Sequence, residues 1–392
     1  MSRFASQRIS QVPPYLFAEL DKKEAALRAA GRDVISLGIG DPDRPTPDFI
    51  RDRMHAAIDD PSNHRYPAYA GSTAFRQAVA DYYQRRYGVT LDPQREVMAL
   101  IGSKEGIGHL AWALVDPGDV VLVPDPGYPV YRIATLFAGG QPYDLPLLPR
   151  NAFLPDLDAI PNDVLERAKL LYLNYPNNPT AAVCDVAFYE RVVDLARRYN
   201  IAVAADLAYG EITFGGYEAP SILQVPGAKE IAVEFGSLSK PFNMTGWRIG
   251  YVVGNAEIIA ALGIIKTNLD SGQFTAVQQA AITALRTPDE AVAQAQALYA
   301  QRQQTMLEAL RQLGLEVSPP KGSFYLWLPT PPGYTSAAFA DAVLQQTAVV
   351  VSPGSAFGPS GEGFFRISLT VDTSRLQEAA RRLAQDLQVR WR

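Results

Sequence analysis

One lysine lies among small and hydroxyl-bearing residues in the stretch SLSKPFNMTGWRIG, residues 237–250. Ser237 and Ser239 precede Lys240, and Arg248 follows it shortly afterwards. A buried ammonium group is costly unless it is paired, and lysine escapes that cost by losing its proton and becoming a nucleophilic amine. We therefore expect Lys240 to act as an amine, with the hydroxyls and the guanidinium around it suited to holding an anion.

Further polar residues follow short apolar runs that we predict to be strands. The runs are residues 97–102, 120–125, 170–176, 201–206, 231–237 and 249–254. They are apolar at consecutive positions, which is typical of strands buried on both faces of a mainly parallel sheet. Helical stretches such as residues 188–200 separate several of them, so the alternation indicates an α/β fold with helices on both faces of the sheet. Because ligands bind outside the carboxyl ends of such strands, the residues that follow the runs should share one crevice.

Five of these strand ends carry polar groups. The residues are Ser103, Lys104, Tyr128, Asn178, Asp206, Tyr209, Ser237, Ser239 and Lys240. Taken singly, a serine at a helix start is usually an N-cap, an Asn-Pro pair is usually a turn, and a lysine usually lies on the surface. Their occurrence at successive strand ends favours one shared site. The chemistry that uses all of these groups is pyridoxal phosphate catalysis.

Each group has a role in that chemistry. Lys240 would supply the amine that bonds to the cofactor aldehyde and would later move a proton between substrate and cofactor. Asp206 would hold the pyridine nitrogen protonated, and Tyr209 and Asn178 would bond to the ring O3' atom. Tyr128 can stack on the ring face. The cofactor phosphate needs fixed donors and positive charge, which we assign to Ser103, Lys104, Ser237, Ser239 and Arg248.

These motifs resemble the fold-type I aminotransferases, classes I and II, along essentially the whole chain. The resemblance is carried by the Ser-x-x-Lys stretch with its following Gly-x-Arg-x-Gly-like segment, by Asn178-Pro179-Thr180 and by Asp206-Leu207-Ala208-Tyr209. It implies the pyridoxal-phosphate-dependent transferase fold, like that of aspartate aminotransferase, with Lys240, Asp206 and Tyr209 catalytic. It also implies that Arg366 in FFRISL binds the substrate carboxylate. Members are homodimers with shared active sites, and Tyr66 is similar to a tyrosine that reaches the neighbour's cofactor phosphate.

Within that family, several segments are similar to the group of LL-diaminopimelate aminotransferases, among them PPYLFAEL, LGIGDPD, NMTGWRIG and KTNLDSGQF. The resemblance implies a reversible amino transfer in lysine biosynthesis, from glutamate to tetrahydrodipicolinate, which gives LL-diaminopimelate and 2-oxoglutarate. It also implies substrate contacts by Tyr15, Gly40, Lys104, Tyr128, Asn178, Asn268 and Arg366.

Four residues depart from the family pattern, and they bear on the substrate rather than on the reaction class. They are Ala181, Leu207, Gly236 and Pro241, and none of them removes a catalytic group. Aminotransferases that act on aspartate, alanine or aromatic amino acids share the cofactor residues. These activities therefore stay open as alternatives to the diaminopimelate reaction.

The pattern of the elements predicts three parts of the chain. Residues 1–44 should form an arm and a helix that pack with the smaller domain, residues 45–285 the large cofactor-binding domain, and residues 286–392 a small α+β domain. The boundary near residue 286 rests on a long helical run, residues 288–314, followed by short apolar strands and a final helix from about Thr373.

Composition excludes several other classes of protein. The formal net charge of -5 and the lack of a basic block give no support to nucleic-acid binding. No apolar run approaches the roughly 20 residues of a membrane span, and we expect a cytoplasmic protein. Cys184 is the single cysteine and the chain has three histidines, so neither a disulfide within the chain nor a Cys/His zinc site is expected, and we predict no metal.

Two other enzyme or binding motifs are matched by parts of the chain. Ser237 and Lys240 satisfy the Ser-x-x-Lys pattern of acyl-serine enzymes, but the chain has no Ser-Asp-Asn, and Lys266-Thr267-Asn268 is its nearest approach to Lys-Thr-Gly. Residues 106–111 fit a dinucleotide-binding glycine pattern, yet we predict them inside a helix rather than at its start. A non-catalytic binding protein is disfavoured because every position expected to contact the cofactor is chemically competent.

Overall fold

The computed structural model describes residues 4–12, 16–287, 289–389 and 391. Tyr15, which the sequence assigns to the substrate, lies outside the described residues. The strands are β1 Ile35–Ser36, β2 Val97–Leu100, β3 Val120–Asp125, β4 Gln141–Pro146, β5 Ala168–Asn174, β6 Ala202–Asp206, β7 Ala232–Ser237, β8 Gly250–Gly254, β9 Tyr325–Pro329, β10 Val349–Val350, β11 Ser352–Pro353 and β12 Phe364–Ser368. The helices are α1 Leu16–Ala29, α2 Asp48–Ile58, α3 Thr73–Tyr87, α4 Ser103–Leu114, α5 Val130–Ala138, α6 Asn162–Leu165, α7 Val186–Tyr199, α8 Ala256–Leu269, α9 Thr275–Arg286, α10 Asp289–Gln312, α11 Ser336–Thr347 and α12 Thr373–Asp386.

Seven strands form the central sheet, in the order β2-β8-β7-β6-β5-β3-β4. Strands β3 to β7 pair in parallel, whereas β8 runs antiparallel to both of its neighbours, β7 and β2. Almost every residue of the inner strands is buried, because helices cover both faces of the sheet. The predicted α/β fold, mainly parallel, is therefore confirmed.

The sequence reasoning missed strand β4, which lies at the edge of the sheet. Its sequence, QPYDLP, mixes polar residues with two prolines and is largely half-buried or exposed. An edge strand has one unpaired side, so it tolerates proline and needs no continuous apolar run. The pattern that identified the inner strands was therefore absent here.

A second, smaller sheet lies in the C-terminal part, where β12 pairs antiparallel with both β11 and β9. The long helix α10 packs against α12 beside it. The N-terminal segment joins this part, since β1 pairs in parallel with β10 and Asp33 accepts hydrogen bonds from Arg375 and Arg382. The three-part division at residues 44 and 285 remains our prediction.

Within the described ranges, no helix combines the length and the apolar character that a bilayer crossing requires.

Candidate active site

The carboxyl edge of the central sheet gathers residues from distant parts of the chain. Strand β6 ends at Asp206 and β7 at Ser237, and α4 begins at Ser103 shortly after β2. Arg248 reaches the same edge for a different reason. It lies two residues before β8, and because β8 is antiparallel to β7, the start of β8 lies where the parallel strands end.

The start of α4 and the guanidinium of Arg248 form a cradle suited to a phosphate. Gly102 precedes α4 with φ 76°, and a Cβ added there would overlap the Nη2 atom of Arg248. The guanidinium is held from its other side, where Nη1 donates to the carbonyl of Thr245 at 2.7 Å. Helix N-terminal N–H groups and an arginine attract the same anion. The hydroxyl of Ser237, which accepts from the N–H of Ser239 at 3.2 Å, ends the neighbouring strand.

Lys240 is the amine of the site. Its Nζ donates a hydrogen bond to the carbonyl of Gly40 at 2.8 Å. Burial lowers the pKa of Lys240 to about 8, and the negative charge of Asp41 opposes that shift. At pH 7, about a tenth of the amine is therefore already in the neutral, nucleophilic form.

Asp206 is buried, with two donors on its carboxylate. Tyr131 donates from its hydroxyl to Oδ2 at 2.8 Å, and the N–H of Ala208 donates to Oδ1 at 3.2 Å. Burial raises the pKa of Asp206 to about 6, and the hydrogen bond from Tyr131 acts in the opposite direction. The carboxylate is thus prepared to pair with a cation such as a protonated ring nitrogen.

Tyr131 was not found by the sequence reasoning. It is fully buried, and its ring stacks on Tyr172 with centroids 5.0 Å apart. A tyrosine one residue inside a helix has no signal that distinguishes it from a core residue, so only the packing reveals its contact with Asp206. Tyr128, which was predicted, contacts Tyr131 edge to face at 5.9 Å and lies 5.8 Å from the Nζ of Lys104.

Arg366 lies on β12 and brings the small sheet to the site. Its Nη1 donates to Oδ1 of Asn178 at 2.7 Å, and its Nη2 donates to the carbonyl of Gly38 at 2.6 Å. Its guanidinium stacks between two aromatic rings, 4.2 Å from the ring centre of Tyr325 and 4.6 Å from that of Phe357. Such a buried, oriented guanidinium is suited to bind a carboxylate through two parallel hydrogen bonds.

Tyr325 is a second residue that the sequence reasoning missed. Its hydroxyl lies 2.9 Å from the hydroxyl of Tyr209, and burial raises the pKa of Tyr209 well above the ordinary value. The ring of Tyr325 also fills the space beside Gly40, where an added Cβ would overlap its hydroxyl. Tyr209, Tyr325 and Arg366 thus form one connected wall.

Two predicted residues are not brought into this crevice. The side chain of Tyr66 is 89% exposed, and the amide of Asn268 donates back to the carbonyl of Ile264 on its own helix, α8.

The assembled residues fit pyridoxal phosphate. The cofactor has an aldehyde, a pyridine nitrogen and a phosphate. The site offers a half-buried amine at Lys240, a buried carboxylate at Asp206 and the cradle formed by Gly102, Ser103 and Arg248. The dinucleotide-like residues 106–111 lie inside α4, as predicted, and not at its start, so they form no dinucleotide-binding turn.

Among the described residues, one cluster of side chains has the spacing of metal ligands. It consists of Glu105, His109 and Asp270. The ammonium of Lys266, which is buried, lies 3.0 Å from the carboxylate of Asp270 and 3.5 Å from that of Glu105. The cluster therefore already contains a cation of its own.

Three departures from the family pattern lie together behind the Lys240 loop. A Cβ at Gly236 would overlap the ring of Tyr251, the residue on β8 with which Gly236 pairs. Tyr251, Leu207 and Pro241 line the same small cavity. Gly236 is therefore required by the size of the tyrosine opposite to it, which is a packing reason and not a substrate contact.

Fold and site together define a lysine-dependent α/β enzyme, and comparison with known proteins supplies its family. Residues 32–383 match the model of the aminotransferase class I and II family, and the chain belongs to that family. Its members transfer amino groups with pyridoxal phosphate, so the predicted family, reaction class and cofactor are confirmed.

Individual relatives cover nearly the whole chain. LL-diaminopimelate aminotransferase of Moorella thermoacetica is 56% identical over 382 residues, which cover 97% of this chain and 98% of the relative. The enzyme of the same name from Aquifex aeolicus is 55% identical and covers 96% and 98%. Among solved structures, substrate-bound BacF from Bacillus subtilis has a TM-score of 0.94 at 37% identity, covering 98% of both chains. A probable N-succinyldiaminopimelate aminotransferase from Thermus thermophilus has a TM-score of 0.89 at 38% identity, covering 95% of this chain and all of that one.

Proposed function

We propose that this aminotransferase is an LL-diaminopimelate aminotransferase. It would move an amino group reversibly from glutamate to tetrahydrodipicolinate, in lysine biosynthesis. The observation that carries the proposal is the identity above 50% with enzymes of that name along nearly the whole chain. The alignments cover 96–98% of this chain and 98–99% of each of these relatives, so the small sheet is shared as well as the cofactor residues.

The proposed roles of the residues follow from their contacts. Arg366 binds the substrate α-carboxylate, because its guanidinium is already oriented by Asn178 and by the rings of Tyr325 and Phe357. Lys240 would take the proton from the substrate Cα and pass it to the cofactor carbon that carried the aldehyde, because its lowered pKa leaves the amine able to accept it.

The remaining residues hold the cofactor in the correct orientation. When bound, pyridoxal phosphate accepts the electrons released at the substrate Cα. Asp206 keeps the ring nitrogen protonated, supported by the hydrogen bond from Tyr131. Tyr209 and Asn178 would bond to the ring O3' atom, and Tyr128 would cover the ring face. The phosphate would be bound by the start of α4 with Ser103 and Lys104, by the hydroxyls of Ser237 and Ser239, and by Arg248.

The far end of a diaminopimelate-type substrate carries a second amino acid group and needs further polar contacts. We assign these to Tyr15, Gly40, Lys104 and Asn268, following the resemblance stated above. Gly40 lies next to Lys240, whose Nζ bonds to its carbonyl.

We also propose that the protein is a cytoplasmic homodimer with shared active sites. Several large apolar side chains are exposed on two segments of the chain, residues 66–69 and 264–274: Tyr66 89%, Tyr69 48%, Ile264 66%, Leu269 54% and Phe274 38%. The two segments are in contact, because a Cβ added at Gly272 would lie 3.0 Å from the carbonyl of Ala68. An exposed apolar region of this kind supports an interface between subunits.

A panel of amino donors tests the substrate. The protein is loaded with pyridoxal phosphate and mixed once with LL-diaminopimelate, aspartate, alanine or phenylalanine, and the loss of the visible cofactor absorbance is followed. We expect LL-diaminopimelate to react with the highest second-order rate constant. A faster reaction with aspartate, alanine or phenylalanine would assign the enzyme to one of the related activities instead.

A further inference from the structure

A strap of six residues, 38–43, runs across the site and touches both of its proposed functional cations. The carbonyl of Gly38 accepts from Nη2 of Arg366 at 2.6 Å, and the carbonyl of Gly40 accepts from Nζ of Lys240 at 2.8 Å. Between them, the carbonyl of Ile39 accepts from the hydroxyl of Thr370 at 2.8 Å. A shift of this strap therefore moves the hydrogen-bond partners of both cations at once.

The strap is fixed at each end by a different device. At its start, the chain is held in the sheet, where the N–H of Leu37 donates to Val350 at 2.9 Å and the N–H of Ser368 donates to Leu37 at 2.8 Å. At its end, the carboxylate of Asp43 accepts two hydrogen bonds from Arg302, at 2.6 Å from Nη1 and 2.8 Å from Nη2.

Arg302 lies on α10 and has no exposed side-chain surface. Its Nη1 also donates to the carbonyl of Leu369 at 3.0 Å, so the guanidinium is bonded to the residue next to Thr370 as well as to Asp43. A planar guanidinium that bonds a carboxylate through two parallel bonds fixes direction as well as distance. The pair therefore constrains the course of the strap and not merely the position of one atom.

The strap has no room to move toward the site. A Cβ at Gly40 would overlap the hydroxyl of Tyr325, and that hydroxyl is in turn bonded to Tyr209. The backbone of the strap thus rests directly on the tyrosine wall, and the ion pair prevents it from lifting away. Small displacements of catalytic groups are expensive, because a shift of about 1 Å can lower a rate by about a hundredfold.

We propose that Arg302 and Asp43 are positioning residues, which hold the strap in place and through it orient both Lys240 and Arg366. This inference rests on the proposed roles of Lys240 and Arg366 in amino transfer. Neither Arg302 nor Asp43 is proposed to touch the substrate or the cofactor.

The test compares two substitutions of the same kind on the same helix. Arg302→Met removes the guanidinium of the pair and keeps a long side chain, and Arg311→Met removes an exposed arginine of the last turn of α10. The first measurement is amide hydrogen exchange of the cofactor-free proteins, which needs no activity. We expect Arg302→Met to speed exchange at least about tenfold at Leu37 and Ser368, whose hydrogen-bonded amides fix the start of the strap, while residues of α4 keep their native protection.

The second measurement separates positioning from simple destabilisation. In Arg302→Met we expect kcat/KM to fall by about a hundredfold at a temperature where the variant is fully folded, with both kcat and the half-saturating substrate concentration affected. Arg302→Lys should recover part of this loss, because an ammonium keeps the charge but makes one contact where the guanidinium makes two. Arg311→Met should match the wild type in every measurement.

Asp43→Asn provides a second route if Arg302→Met fails to fold, since it keeps the shape and one acceptor of the pair. Loss of thermal stability alone, with native exchange at Leu37 and Ser368 and native kinetic constants, would overturn the proposal. Exchange is measured without substrate, so it also decides the role of the pair if the wild-type enzyme turns out not to use LL-diaminopimelate.

Discussion

Burial shifts the pKa values of the two central residues in the direction of their neutral forms. It lowers the pKa of Lys240 to about 8 and raises that of Asp206 to about 6. The cause is the same, because a charged group loses water when it is enclosed. A neutral amine is needed to bond to an aldehyde, whereas an ionised carboxylate is needed beside a protonated ring nitrogen. Near neutral pH, the site therefore offers an ionised Asp206 and a fraction of neutral Lys240.

The first prediction concerns Lys240. We expect Lys240→Ala to lower kcat by at least about a thousandfold, because the amine that moves the proton is lost. The cofactor should still bind noncovalently through the phosphate cradle, which is retained. Steady-state assays and gel filtration with pyridoxal phosphate measure the two effects. Lys169→Ala, an exposed position on β5, is the control, and native turnover of the Lys240 variant would contradict the mechanism.

The second prediction concerns the hydrogen bond from Tyr131 to Asp206. This bond favours the ionised carboxylate, so its removal in Tyr131→Phe should raise the pKa of Asp206 further above 6. We expect cofactor affinity to rise as the pH increases through this pKa, since ionised Asp206 pairs with the protonated ring. In the variant the midpoint should move to higher pH by about one unit or more.

Titration of the cofactor at a series of pH values measures this midpoint. Tyr172→Phe is the matched control, because the hydroxyl of Tyr172 donates to the carbonyl of Ile107 at 3.0 Å and leaves Asp206 untouched. Equal midpoints in Tyr131→Phe and Tyr172→Phe would show that Tyr131 does not tune the carboxylate.

At the scale of elements, the direction of β8 and the start of α4 build the phosphate cradle. An antiparallel β8 brings Arg248 to the carboxyl edge of the parallel strands, where it faces the N-terminus of α4. The close approach of the guanidinium to the backbone is possible because residue 102 has no side chain. Gly102 also has a positive φ of 76°, which costs other residues energy.

The third prediction tests that cradle. Gly102→Ala should displace the guanidinium of Arg248 and weaken binding of pyridoxal phosphate by about tenfold or more, as expected for the loss of one hydrogen bond to a charged group. Gly108→Ala is the control on the same helix, where the nearest atom, on Val130, is 4.0 Å from an added Cβ. Titration of both variants with pyridoxal phosphate measures the affinity. Native affinity in Gly102→Ala would contradict a role of the cradle in binding the cofactor.

At the scale of the whole molecule, Tyr66 is the predicted phosphate-binding residue that lies apart from the crevice. That side chain is 89% exposed and belongs to the exposed apolar region that we propose as the subunit interface. A hydroxyl in this position can bind the cofactor phosphate of the neighbouring subunit. Each active site would then need residues from two chains.

The fourth prediction follows from this sharing. Tyr66→Ala alone should bind the cofactor more weakly, and Lys240→Ala alone should be inactive. When the two variants are unfolded together and refolded as mixed dimers, one site of each dimer would have native Lys240 and native Tyr66. We expect turnover with native cofactor affinity to return on mixing. No recovery, in mixtures shown to contain mixed dimers, would place Tyr66 outside the partner's site.

Sequence alone determined the chemistry and the class of fold. Consecutive apolar positions marked the buried strands, and the residues at their ends, with Lys240 and Asp206 foremost, indicated the cofactor, because those residue types match its aldehyde and ring nitrogen. These signals are local, since each is contained in a few neighbouring residues. The same local patterns located α4, α7 and α10 to within a few residues.

Tertiary structure decided which side chains support those residues. Tyr131 with Asp206, Tyr325 with Tyr209, and Arg302 with Asp43 are pairs whose members lie 75, 116 and 259 residues apart. No spacing in the sequence connects such residues, because their contact depends on how the sheets and helices pack. For the same reason Gly236 read as a departure in the sequence, whereas the packed structure shows that Tyr251 occupies the space that a side chain there would need.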